Sequence, residues 1–196
     1  MSGPLPDRTR RGLLAGGALL LGATACGVLA PRARAQELES LTPAPGAPSR
    51  RLVLHNLHTD ESLEVEYHRD GAYVPQALDA LEDLLRDFRT GARHPIDPAL
   101  FDVLHEVAGR LGVDAEFRVI SGYRSPATNA MLHERSAGVA SRSMHLEGKA
   151  IDVRLAGVDC ATLATSGLAL ARGGVGYYRR SDFVHLDTGR VRSWRG

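Results

Sequence analysis

The stretch Ser143-Met144-His145-Leu146-Glu147-Gly148-Lys149-Ala150-Ile151-Asp152 sets a histidine seven residues before an aspartate. Residues 150–155 read as a strand, and Gly148 can turn the chain between the two side chains, so both can converge on one point. A second histidine, His185, lies in the strand-like run Phe183-Val184-His185-Leu186-Asp187. Two imidazoles and a carboxylate make a three-ligand zinc site with the fourth position open. Such a site polarises a carbonyl and brings the pKa of water towards about 7. The natural reaction class is amide hydrolysis. The plainer alternative leaves His145 and His185 as isolated histidines on a loop and a strand. Asp152 weighs against that alternative, because a carboxylate inside Ala-Ile-Asp-Val is costly to bury unless it is paired or metal-bound.

The surrounding elements must hold these groups. Residues 51–56 and 62–67 read as a β-hairpin, with Thr59-Asp60-Glu61 in its turn. Ala77, Leu78, Leu81, Leu84, Leu85 and Phe88 fall at helical spacing. So do Leu100, Phe101, Leu104, Val107, Ala108 and Leu111, in a helix that starts at N-cap Asp97 with Pro98 first inside and stops at Gly112. Residues 117–120 form a strand, and Ser125-Pro126 opens a short helix over 127–134. Residues 159–172 form an Ala- and Leu-rich helix, followed by strands over 173–178 and 183–187. Helices come early and most strands late, so the expected class is α+β, an antiparallel sheet with flanking helices.

Ser143-x-His145-x-x-Gly148-x-Ala150-x-Asp152, followed by Asp182-x-x-His185, resembles the zinc D-Ala-D-Ala peptidases, the group that also contains VanX-type and hedgehog-type domains. Within it, the chain is similar to the YcbK/MepK murein endopeptidase branch. The likeness extends through Asn56-x-His58-Thr59, Ile96-Asp97-Pro98-x-Leu100, Ser121-Gly122-Tyr123-Arg124-Ser125-Pro126, Gly173-Gly174-Val175-Gly176-Tyr177-Tyr178 and Phe183-Val184-His185-Leu186-Asp187-Thr188-Gly189. The resemblance implies zinc held by His145, Asp152 and His185, with Arg124 in the substrate cleft, where a guanidinium can pair with a carboxylate or a developing oxyanion. Many relatives carry a glutamate three residues before the last histidine. Asp182 stands there in this chain and is the expected general base. Asp187 is the alternative, better suited to partnering a ligand histidine, and His133 is a third. Ser143 either bonds substrate or orients the His145 loop. Tyr177 and Tyr178 can line the cleft, and strand alternation sends one of them to the core; Tyr177 is taken as the substrate-facing one. Trp194 is expected to pack against the sheet.

Residues 1–35 read as an address. Arg8, Arg10 and Arg11 precede an apolar run, and Ala33-Arg34-Ala35 offers a cleavage site, the order of a twin-arginine (Tat) signal peptide. Cleavage predicts a periplasmic protein that has engaged the Tat machinery, with transient membrane contact through the N-terminal segment. The alternative places a lipid on Cys26. Residues 36–50 read as a Pro-rich linker and 51–196 as the zinc peptidase domain. The formal charge of +1 for 196 residues hides a basic signal on a mildly acidic domain and excludes a nucleic-acid surface as the expected partner. Two cysteines, Cys26 and Cys160, build no Cys-rich zinc module or disulfide framework. The glycines of 173–176 lack dinucleotide spacing and a following helix. The expected activity is zinc-dependent hydrolysis of amide bonds in peptidoglycan stem peptides or cross-links. The alternatives are a D,D-carboxypeptidase of the same fold and a non-catalytic wall-binding domain.

Overall fold

The computed structural model describes residues 48–135 and 140–196. The expected signal peptide, Cys26 and most of the expected linker lie outside the described residues. Among the described residues, no helix is long and apolar enough to cross a membrane.

The hairpin forms as expected. β1 (Arg50–Asn56) pairs antiparallel with β2 (Ser62–Arg69), and a two-residue β3 (Ala72–Tyr73) extends it. Helix α1 runs over Pro75–Leu84 and α2 over Pro98–Leu111. Strand β4 (Phe117–Ser121) leads into α3 (Pro126–Arg135). A 3-10 turn over Met144–Glu147 precedes β5 (Ala150–Leu155), followed by α4 (Cys160–Leu170), β6 (Gly174–Tyr178), β7 (Phe183–Asp187) and β8 (Arg192–Arg195). The eight strands form one sheet in the order β3-β2-β1-β4-β5-β7-β6-β8. The class is α+β as expected. The sheet is mixed, because β1 pairs parallel with β4 and β8 parallel with β6, while the other pairings are antiparallel. β8 was not anticipated from the sequence, and it forms the wall of the cleft described below.

Local chemistry explains the helix ends. Asp97 caps α2 by accepting from the Ala99 N–H at 3.0 Å, Pro98 sits first inside, and Gly112 closes the helix at φ 64°. Asp159 caps α4 through the Thr162 N–H at 2.9 Å. Helix α1 stops four residues short of its apolar stripe. Beyond Leu84 the backbone is taken into a turn in which Asp87 N–H donates to Ala92 O at 2.9 Å and Gly91 N–H to Asp87 O at 2.7 Å. Leu85 is still buried, but it holds a loop rather than extending the helix.

The core lies on one face of the sheet. Ile151, Val153 and Leu155 of β5 and Val184 and Leu186 of β7 join Leu100, Phe101 and Leu104 of α2 and Leu163 of α4 in one buried apolar cluster. Alternation along β5 and β7 then sends Asp152 and His185 to the opposite face.

Candidate metal centre

Asp152 and His185 are direct cross-strand partners in the antiparallel β5–β7 register, so their side chains leave the sheet together. His145 arrives from the 3-10 turn. Ser143 accepts from the His145 N–H at 3.4 Å to cap that turn, and Gly148 ends it at φ 64°. A side chain at 148 has no room, because its Cβ would lie 2.1 Å from Pro95 O. Asp97 ties this turn to the rest of the site. Its N–H donates to Gly148 O at 2.9 Å, and its Oδ2 accepts from Thr188 Oγ1 at 2.7 Å.

The result is a buried triad. His145 is 1%, Asp152 3% and His185 7% exposed. Asp152 Oδ1 lies 2.9 Å from His185 Nδ1 and 3.2 Å from His145 Nε2, and the two ring nitrogens are 3.2 Å apart. One donor atom from each residue falls within 4.8 Å of the others, so the group could hold a metal ion. The donor set fits zinc, which takes imidazole nitrogen and carboxylate oxygen readily. Each imidazole has its other nitrogen engaged. His145 Nδ1–H donates to Gly122 O at 2.7 Å, and His185 Nε2–H donates to Asp187 Oδ2 at 2.9 Å. Those bonds select tautomers whose remaining lone pairs face the shared point.

The electrostatics of the metal-free triad differ between its two histidines. Burial lowers the His145 pKa, against the attraction of Asp152, so the ring stays neutral. Burial works to raise Asp152, but His145 and His185 hold it well below the usual carboxylate range. Burial opposes a charged His185, and the hydrogen bonds to Asp152 and Asp187 outweigh it, so its pKa rises. Asp187 is buried at 2% exposure and held by a fork of bonds. Arg192 Nη2 donates to its Oδ2 at 2.6 Å, while Arg192 Nη1 and the N–H groups of Gly174 and Gly189 donate to its Oδ1.

A cleft of about 420 Å³ opens over the triad. Arg124 lines it, with its guanidinium paired to Asp152 Oδ2 and its Nε donating to Ser121 Oγ at 2.8 Å. The loop that carries Arg124 is itself clamped. Tyr123 N–H donates to Leu85 O at 2.8 Å, and Ser125 N–H donates to buried Asp87 at 2.9 Å. Ser143 also lines the cleft and orients the His145 turn.

Two of the expected site residues are not brought to the cleft. Tyr177 does not reach the cleft, since it packs against the core face, and its neighbour Tyr178 lines the cleft instead. The register explains this. Gly176 lies opposite His185 and Tyr178 opposite Phe183, so 176 and 178 share the face of His185. Asp182 is also not brought to the triad. It adopts φ 50° just before β7, its carboxylate is 70% exposed and 3.5 Å from Arg154 Nε, and it does not line the cleft. Asp187 is hydrogen-bonded to His185, one of the candidate ligands. His133, on α3, does not line the cleft either.

Sequence reasoning missed one wall. Trp194 of β8 lies over His185, with ring centroids 5.1 Å apart, and its Nε1–H donates to Tyr178 OH at 3.0 Å. Gly176 makes this possible, because a Cβ there would fall 2.5 Å from the indole. The available signal was the alternation of small and aromatic residues in Gly174-Val175-Gly176-Tyr177-Tyr178. It becomes readable only once β8 is known to lie beside β6.

Comparison with known proteins now bears on this geometry. The family described as peptidoglycan L,D-endopeptidase MepK, in the M15 peptidase group, matches residues 44–194. The chain is 42% identical over 188 residues to the peptidoglycan L,D-endopeptidase MepK of Escherichia coli (strain K12), covering 96% of this chain and 98% of the relative. The same protein of Shigella flexneri matches with the same identity and coverage. The probable peptidoglycan L,D-endopeptidase MepK of Haemophilus influenzae is 45% identical over 156 residues, 79% of this chain and 82% of the relative. No solved structure matches the chain. With the family's match spanning all but the last two described residues, triad and aromatic wall included, this chain belongs to the MepK peptidoglycan L,D-endopeptidase family of M15 peptidases.

Proposed function

We propose that the chain is a zinc-dependent endopeptidase that hydrolyses an amide bond in peptidoglycan stem peptides or their cross-links. The bond between L- and D-centres named for its relatives is the one to test first. The observation that carries the reading is the convergence of His145 Nε2, Asp152 Oδ1 and His185 Nδ1 on the floor of an open cleft. Zinc held by these three residues would supply a Lewis acid for the scissile carbonyl and would activate a water at neutral pH.

The chain's own groups supply the rest. Gly122 O and Asp187 hold the two imidazoles in their ligand tautomers. Arg124 neutralises the outer oxygen of Asp152 and presents a guanidinium to the cleft, where charge develops on the carbonyl oxygen. Ser143 keeps the His145 turn in register. Tyr178, Phe183 and Trp194 give the peptide an apolar wall.

In the same reading, residues 1–35 are a Tat signal, 36–50 a linker and 51–196 the peptidase domain. The protein then works in the periplasm after transient contact with the membrane and the export machinery. Mass spectrometry of the N-terminus tests that part, with a lipid on Cys26 as the contrary result.

The activity is tested by digesting intact sacculi and separating the products. Wild type is expected to release stem-peptide or cross-link fragments and to carry zinc, and His145→Ala to do neither. Equal product from the two proteins would overturn the reading.

A further inference from the structure

Away from the cleft, several described arginines are matched by acids, though Arg110 on α2 is not. Arg51 pairs with Glu64, Arg93 with Asp79 and Arg172 with Glu106. At the mouth of the cleft the pattern reverses. Tyr178 and Ser181 line the cleft, and Arg179 and Arg180 between them are exposed and make no ion pair among the described residues. Ala140 and Ser143 line it elsewhere, and Arg142 between them is likewise exposed and unpaired. The neighbouring acids are already engaged, Asp182 with Arg154 and Glu147 with Lys149.

Three exposed arginines without an ion pair among the described residues thus sit next to residues that line one opening, in a domain that is mildly acidic overall. Clefts rimmed by one sign of charge focus the field and concentrate oppositely charged ligands. We propose that Arg142, Arg179 and Arg180 form a rim that docks the carboxylate-bearing peptide chains of the polymeric wall and feeds one chain to the cleft. The proposal rests on the peptidoglycan reading for the identity of the polyanion. The rim acts on the polymer, whose many carboxylates reach beyond the cleft, and not on a short fragment that the cleft holds alone.

The test compares zinc-loaded wild type with R179E/R180E and R179K/R180K. Hydrolysis is followed on intact sacculi and on a short soluble cross-linked muropeptide, and binding by co-sedimentation with sacculi at low and high salt. For R179E/R180E the KM on sacculi should rise about tenfold, with kcat unchanged and the salt dependence of pelleting flattened. The soluble fragment should be hydrolysed as by wild type, and R179K/R180K should behave as wild type throughout. An unchanged KM and unchanged pelleting of R179E/R180E would overturn the rim, as would an equal loss on the soluble fragment. Wild type pelleting with phosphatidylglycerol-containing vesicles and not with sacculi would also overturn it, in favour of a membrane surface. If wild type hydrolyses neither substrate but pelleting still depends on Arg179 and Arg180, the hydrolase reading falls and the rim stands.

Discussion

Asp187 connects His185, a candidate metal ligand, to a guanidinium, with Arg192 on one side of its carboxylate and His185 Nε2 on the other. Partners of this kind fix ring orientation, and their loss typically weakens metal binding about 10- to 100-fold. Asp187→Asn should show that loss in a competition titration with a zinc chelator while the circular dichroism stays native. An unchanged zinc affinity would remove Asp187 from the role. Asp182 makes the opposite case. Its carboxylate is exposed and turned to Arg154, outside the cleft. Asp182→Asn should therefore keep turnover on sacculi within about a factor of two, the range of a surface substitution. A general base would lose about 100-fold or more, and that result would restore Asp182 to the chemistry.

At the scale of elements, the turn over Met144–Glu147 and the β5–β7 pair divide the work. The strand pair places Asp152 and His185 by register alone. His145 depends on a turn that closes only because residue 148 is glycine, with φ 64° and Pro95 O where a Cβ would be. Gly148→Ala should cost about 2 kcal/mol or more from the left-handed backbone and the contact together. Thermal melts read that cost, and zinc content should fall with it because His145 moves. A melting temperature equal to wild type would show that the turn tolerates a side chain. β8 is the other decisive element. It runs parallel to β6 and brings Arg192 and Trp194 to the triad, one to hold Asp187 and one to roof His185.

Across the whole molecule, buried carboxylates set the response to acid, and two of them, Asp87 and Asp102, lie outside the triad and its Asp187 partner. Burial would raise Asp87, but hydrogen bonds from Ser125, Thr128 and the Arg89 N–H hold it well below the usual range. Burial likewise opposes ionised Asp102, and Tyr73, Arg50 and Tyr67 outweigh it. In an unfolded chain an aspartate titrates near 3.9. With folded values below that, both groups contribute stability above about pH 4 that is lost as the pH falls towards the depressed values. The melting temperature should drop steeply on going from about pH 5 to pH 2. Asp87→Asn should melt lower at pH 7 and show a shallower drop, since it has no carboxylate to protonate. A drop as steep as wild type would mean that Asp87 is not part of the response. Asp87 also holds the Ser125 N–H next to Arg124, so its protonation should loosen the loop that carries Arg124.

By itself the sequence determined the metal-ligand candidates, the hairpin, the capped helix α2 and the strands that carry the chemistry. These features are local: a cap, a turn glycine or a period of two is written in neighbouring residues. Even Asp187 as the partner of a histidine was legible, because it lies two positions along the same strand. The tertiary structure decided what depends on residues far apart in the chain. It placed β8 beside β6, which gave Trp194 and Arg192 to the site, and it chose Tyr178 over Tyr177 through the β6–β7 register. It ended α1 at Leu84 because the next backbone groups serve Tyr123 and Asp87, and it turned Asp182 away to Arg154. Which face a strand residue meets, and which acid an arginine finds, follow from sheet order and loop closure. Nothing in a single stretch of sequence encodes either of them.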